Sequence, residues 1–255
     1  MLKSLIFILL SYYVFTLYSE YLRKAVLVYI RTQQPNSDIK CLKLLRHTDS
    51  VYKIIYNIDD HLRKDIDAET HAHREKWNYI VLALGFDDEH SREMYVSTLR
   101  HFDFVEEVNV VNITPWPFPA HHAFNIFMNI WKPIGELVGY IPKRTLRKSS
   151  SPAFKCKDRD DLEKVVIFNL LHIRDDDIFA QYAIVMFTKI FPAINSHVYY
   201  SAQPETNPWT ELSVVKYENH AAACELAESE VFEKVIHVKR NCVPESFSFL
   251  TKEVH

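Results

Sequence analysis

The chain opens on sixteen residues, 4–19 (SLIFILLSYYVFTLYS), that carry no charge and are apolar on every side. A surface helix would show a polar stripe; as a helix this segment would be roughly 24 Å long, the short edge of a bilayer-spanning length. The pattern favours an uncleaved membrane anchor within residues 1–22. A cleaved signal with a secreted or lumenal body, and a buried core helix, are the alternatives. Lys3 on one side nearly balances Arg23 and Lys24 on the other, so orientation stays open.

Beyond the anchor, one pattern occurs twice. In the first copy (23–114) an apolar run from Ala25 to Ile30 leads through Pro35-Asn36-Ser37-Asp38 into an amphipathic stretch with Ile39, Leu42 and Leu45 on one face. Two strand-like runs follow, Val51 to Tyr56 and Trp77 to Leu84. A helix starting at Asp87 or Asp88 and ending near His101, then a strand from Val105 to Ile113, complete a βαββαβ order. The second copy (161–255) gives a strand over Lys164–Ile173, an acidic helix start at Asp175-Asp176-Asp177 and a helix from Ile178 to Phe191. It continues with strands over His197–Gln203 and Trp209–Tyr217, a helix capped by Asn219 and running to about Arg240, and a strand over Ser246–Val254. Trp77 stands ten residues before Asp87 and Trp209 ten before Asn219, which aligns the copies. A βαββαβ unit folds as a four-stranded antiparallel sheet with both helices on one face. A strand such as Val165–Leu171 is apolar at nearly every position, which calls for cover on both faces. Two such sheets packed face to face would supply it, making the chain an intramolecular pseudo-dimer, monomeric without a second molecule.

The connector (115–160) holds Pro115, Pro117 and Pro119, an apolar stretch from Ala123 to Trp131, and a basic, serine-rich run from Lys143 to Ser151. From Leu137 to Lys157 there are six basic residues and no acidic one. The run reads as a solvated linker, or as a segment lying on anionic lipid. Pro133 interrupts the apolar stretch, which is expected to pack on the barrel rather than enter a bilayer.

Composition narrows the chemistry. The 255 residues include only 3 glycines, against roughly 18 at average usage. No GxGxxG or GxxxxGK[ST] string occurs, which sets nucleotide-binding classes aside. Thirty basic against 33 acidic residues, a formal charge of −3, and no aromatic stripe among the basic residues give no expectation of nucleic-acid binding. The cysteines Cys41, Cys156, Cys224 and Cys242 lack metal spacing and read as free thiols, with a Cys224–Cys242 bridge open in an oxidising lumen. The pairs His71/His73 and His121/His122 and the acidic cluster from Asp59 to Glu69 lack metal-site frames, so no metal is expected. Ser149-Ser150-Ser151 has no glycine elbow before it.

The second copy resembles the dimeric α/β-barrel superfamily, in particular an uncharacterised branch. It carries that branch's Asn-Leu pair on the first strand (Asn169-Leu170), a Tyr in the first helix (Tyr182), and a Trp opening strand three and a Tyr ending it (Trp209, Tyr217). Small residues, Ala221 to Ala223, follow in the second helix. The first copy resembles the superfamily by element order alone. The resemblance implies a ferredoxin-like α+β fold with a pocket between sheet and helices for small apolar or aromatic molecules, haem among them. It also implies monooxygenase or isomerase chemistry, often without a cofactor. In the haem-degrading branch an Asn, a Trp and a His serve the site; Asn169, Trp209 and His220 fall at comparable places.

Two functions follow. The first is a membrane-tethered α/β-barrel binding a small apolar or aromatic ligand, cofactor unassigned, with Asn169, Tyr182, Trp209, Tyr217 and His220 lining the second-copy cavity and Trp77 as the counterpart. It requires a cavity of about 300 Å³ or more touching Asn169 and Trp209. The second is a non-catalytic structural or interaction module whose cavity is filled by 16 Phe, 14 Tyr and 4 Trp. On that reading Asn169 satisfies backbone, Trp209 packs in the core and His220 is an exposed first-turn residue.

Overall fold

The computed structural model describes residues 24–32, 37–58, 76–115, 130–141, 146–150 and 163–255. The first repeat runs β1 (Lys24–Arg31), a 3-10 helix (Ser37–Leu44), β2 (Thr48–Asn57), β3 (Tyr79–Phe86), α1 (Glu89–Arg100) and β4 (Glu107–Pro115). The second runs β5 (Val165–His172), α2 (Asp176–Val185), a π-helical turn (Met186–Ile190), a short helix (Phe191–Ala193), β6 (His197–Pro204) and β7 (Glu211–Tyr217). It ends with α3 (His220–Ala227), α4 (Glu230–Cys242) and β8 (Glu245–Glu253). The helix starts lie where short polar side chains can take orphan backbone donors. Asp88 accepts from Ser91 N at 2.7 Å, Asp175 from Ile178 N at 2.9 Å and Asn219 from Ala222 N at 2.8 Å.

Strand order around the sheet is β1-β3-β2-β8-β5-β7-β6-β4, closed through the antiparallel β4–β1 pair. Each repeat keeps the ferredoxin-like order, but the two sheets are not stacked as separate layers. They join edge to edge, β2 with β8 and β4 with β6, into one eight-stranded barrel. Backbone groups on open edges need partners, and closure supplies them along the β2–β8 seam and over three pairs of the β4–β6 seam, whereas face-to-face stacking would leave four edges bare. The apolar runs are then buried on both sides. Along β1, Ala25, Leu27 and Tyr29 point into the barrel while Val26, Val28 and Ile30 lie under the helical layer.

The barrel interior is packed with rings. Trp77 lies 6.2 Å from Tyr29, Tyr29 lies 5.2 Å from Phe247, and Phe247 stacks at 6.4 Å on Trp209, so the two equivalent tryptophans join one aromatic chain across the repeats. Phe168 of β5 meets Tyr52 of β2 edge-on at 4.9 Å.

Three local expectations are corrected. The final helix is not continuous to Arg240: it breaks at Glu228-Ser229, because Ser229 Oγ caps a new helix by accepting from Phe232 N at 3.0 Å. The basic run is neither a free linker nor laid on lipid over 146–149, because it docks into that break. Ser149 N donates to Glu228 O (2.8 Å), Glu230 N donates to Arg147 O (2.9 Å), and Arg147 and Lys148 pair with Glu230 and Glu228. Third, Cys224 is disulfide-bonded while Cys41 and Cys242 are free, so the Cys224–Cys242 bridge does not form. The chain's other cysteine, Cys156, lies outside the described residues.

The expected anchor over 1–22, the two histidine pairs and the Asp59–Glu69 cluster also lie outside the described residues. Among the described residues no helix is long and apolar enough to cross a membrane, and no group of three or more His, Cys, Asp or Glu is placed to hold a metal ion.

Candidate functional site: a cleft under the second helical layer

Strand alternation decides which β5 residues meet the helices. Phe168 and Leu170 point into the barrel, while Ile167 and Asn169 point outward beneath α2, α3 and α4. Register places Asn169 directly opposite Ser213 of β7 on one side and Ser248 of β8 on the other. A short polar row therefore crosses an otherwise apolar sheet face, and Asn169 Nδ2 donates to the Ser213 carbonyl at 3.4 Å.

Above this row lies a cleft of about 90 Å³, open to solvent on one side, with Asn169, Tyr182, Tyr217, Tyr56, Met186 and Lys239 among its lining. Burial pushes the Tyr182 and Tyr217 phenols well above the usual tyrosine range, and the neighbouring Tyr182 raises Tyr217 further. Both hydroxyls are therefore neutral at physiological pH. They can donate or accept a hydrogen bond but cannot act as phenolate bases.

Of the residues the sequence put forward, Asn169, Tyr182 and Tyr217 share this cleft. His220 sits at its border: its Nε2 lies 3.4 Å from the hydroxyl of Tyr56, and its backbone N–H donates to Glu163 O at 3.0 Å. His220 is 3% exposed, which corrects the picture of an exposed first-turn residue; the β2 edge folds over it. Trp209 and Trp77 lie elsewhere, in and against the barrel interior. Tyr56, Met186 and Lys239 were missed. Tyr56 comes from the other repeat, across the β2–β8 seam and just past a register shift between Ile54 and Tyr56, so nothing in its sequence neighbourhood points to the cleft.

The cleft does not meet the size required of a site touching both Asn169 and Trp209, since sites for drug-sized ligands run roughly 300–1,000 Å³. Haem, which the resemblance implies among the family's ligands, does not fit here. The space is too small for a macrocycle, and the imidazole nitrogen that would meet an iron faces Tyr56.

No protein-family model matches the sequence, and no curated protein matches it. Among solved structures the chain is similar to a candidate monooxygenase from Lactobacillus acidophilus NCFM, at 10% identity and a TM-score of 0.45, over 91% of this chain and 94% of that one. It is likewise similar to a candidate monooxygenase from Fusobacterium nucleatum, at 8% identity and a TM-score of 0.45, over 92% of this chain and 94% of that one. An anthrone oxidase-like protein is similar at 8% identity and a TM-score of 0.44, over 93% of each chain. The strand order and closed register, not these likenesses, define the fold: two ferredoxin-like repeats joined edge to edge are the dimeric α/β-barrel carried within a single chain.

Proposed function

We propose that the chain is a membrane-tethered α/β-barrel that binds a small, largely apolar or aromatic ligand with one hydrogen-bonding group in the second-repeat cleft, a smaller site than the roughly 300 Å³ space beside Asn169 and Trp209 that the sequence reading required. The observation that carries this is Asn169, a partly buried amide on a sheet face otherwise covered by apolar side chains and raised-pKa tyrosines. An amide there is costly unless it has partners, and the hydrogen bond from Asn169 Nδ2 to the Ser213 carbonyl, at 3.4 Å, is long. A ligand hydroxyl or carbonyl would offer a shorter one. At about 90 Å³ the cleft is smaller than the about 150 Å³ cavity that takes benzene, so only part of one small ring enters and the rest stands in the open mouth. The tether is supported by the uncharged run at residues 4–19. With Tyr182 and Tyr217 neutral, the reading stops at binding and assigns no proton abstraction.

Phenol is a suitable probe. Titration followed by amide chemical shifts should saturate, with the shifts centred on β5, β7 and α2. Asn169→Leu, which fills the cleft and removes the amide, should weaken binding at least tenfold while leaving the protein folded. Non-saturating shifts, or equal binding by the variant, would overturn the proposal. The second reading, a non-catalytic module, is favoured by the ring-filled barrel interior and would be the one left standing.

A further inference from the structure

Helix α4 turns its charges outward near its end, with one exception. Phe232, Val235, Ile236 and Lys239 recur at i, i+3, i+4 and i+7, one stripe along the helix. Val235 and Ile236 are buried, Phe232 packs against the apolar cluster that includes Val215 and Leu250 of the sheet, and Cys242, three residues past Lys239, is buried as well. The exposed positions between them hold Lys234, His237 and Arg240, where solvated charges belong. Lys239 instead stands on the inner stripe, half-buried, and lines the cleft together with Asn169. Among the described residues of that lining it is the only charged one.

The charge of Lys239 is felt on that inner side. Burial pushes the Cys242 thiol up and Asp175 pushes it further, while the Lys239 ammonium opposes them. Asp175 itself is engaged as the cap of α2, accepting from Ile178 N at 2.9 Å. The four-carbon stem of a lysine can lie along apolar surface, but its head is stable there only beside an anion or water. An ammonium has three donors, so it can serve a protein group and a ligand oxygen together.

This arrangement selects among the ligands that the cleft could take. A neutral ligand would use Asn169 and leave the ammonium to solvent. A phosphate carries up to two charges and is met by arginine forks or several backbone N–H groups, and the described lining has no arginine. A carboxylate carries one charge and is matched by one ammonium in a charge-assisted hydrogen bond. The open side of the cleft lets such a head keep part of its water while the apolar remainder lies against Met186 and Tyr217. We propose that the cleft selects a small monocarboxylate, with its apolar part beside Asn169 and its carboxylate on the ammonium of Lys239. This rests on the ligand reading above and names the chemical class that the site takes.

The test titrates the full chain at pH 7 with benzoate, benzamide and phenol, followed by amide chemical shifts. Benzoate and benzamide share a ring and a shape and differ in the charge of the head. Benzoate is expected to bind about tenfold tighter than benzamide, with the largest additional shifts in the last turn of α4. Lys239→Met, which keeps an unbranched stem and removes the charge, should bring benzoate down to the level of benzamide, and Lys239→Arg should keep the preference. The wild-type comparison needs no substituted protein, so it decides the matter even where a variant folds poorly. Equal binding of benzoate and benzamide by the wild type, or a preference that survives Lys239→Met, would overturn this inference and leave the cleft reading intact, with phenol still saturating. Saturation by none of the three would overturn the cleft reading and this inference with it.

Discussion

Arg92→Ala is expected to cost about 3 kcal/mol of unfolding free energy at neutral pH, the loss that follows from breaking a buried ion pair, reduced because its carboxylate partners are partly solvated. The Arg92 side chain is 2% exposed, although it sits on an outer helix. Its guanidinium grips Glu205 with two bonds, Nη2 to Oε2 at 2.8 Å and Nη1 to Oε1 at 3.2 Å, and reaches Glu89 through Nε at 3.2 Å. Glu205 in turn accepts from Thr114 Oγ1 at 2.9 Å, and Glu89 from Lys24 Nζ at 3.0 Å. The cluster therefore ties α1 and the ends of β1 and β4 in the first repeat to the β6–β7 turn in the second. It stands where the barrel is held least, since the β4–β6 seam has only three register pairs, Ile113 with Pro204, Thr114 with Gln203 and Pro115 with Ala202.

The same contacts set a pH dependence. Hydrogen bonds from Arg92 hold both Glu89 and Glu205 below the usual carboxylate range. Groups whose folded pKa is depressed contribute stability above their unfolded pKa, about 4.3 for Glu, and lose it as pH falls through the folded values. The gap between wild type and Arg92→Ala, read from urea unfolding, should accordingly be widest at pH 7 and narrow below about pH 4. A gap that stays constant down to pH 3 would mean that Arg92 acts through packing alone.

Phe168→Ala should be still more costly, about 3–5 kcal/mol. Phe168 is fully buried in the barrel, and its ring meets Tyr52 from the other repeat, so truncation opens a void between elements that share no local sequence. A ligand chamber in the barrel would tolerate the loss of one wall ring, and a packed core would not. Urea unfolding monitored by far-ultraviolet circular dichroism distinguishes them, a loss under about 1 kcal/mol being the result that speaks against a filled interior.

How far the sequence foretold this molecule depended on whether the deciding contact was local. Helix starts are marked by chemistry confined to three residues: Asn219 caps its helix as expected, and of the acidic starts at Asp87/Asp88 and Asp175-Asp176-Asp177 it is Asp88 and Asp175 that cap. The unbroken apolar runs correctly implied cover on both faces, and the shared tryptophan spacing aligned repeats whose rings do meet in one interior. The seams left no such trace. Edge pairing of β2 with β8 and β4 with β6 is made by backbone groups that every sequence carries, so stacked sheets and a closed barrel have the same side-chain pattern. Tyr56 and the burial of His220 depend on one of those seams and were hidden with it. Docking of the basic run was equally illegible, because the place for Arg147 to Ser149 beside Glu228, Glu230 and Glu233 opens only where Ser229 splits the helix. Within the cleft, Asn169, Tyr182 and Tyr217 were indicated by the resemblance to the superfamily branch, and all three line the same space. Trp209 was misplaced because it precedes the first residue of β7, Glu211, where alternation does not yet apply.

Two linked features are central: the halves close into one ring-filled barrel, and the space for a ligand lies outside it, against Asn169. A crystal structure of the full chain soaked in phenol tests both at once. It should show β2 bonded to β8 and β4 bonded to β6, with phenol between Asn169, Tyr182 and Tyr217 and none inside the barrel. Two separate stacked sheets, or phenol lodged beside Tyr29 and Trp77, would contradict it.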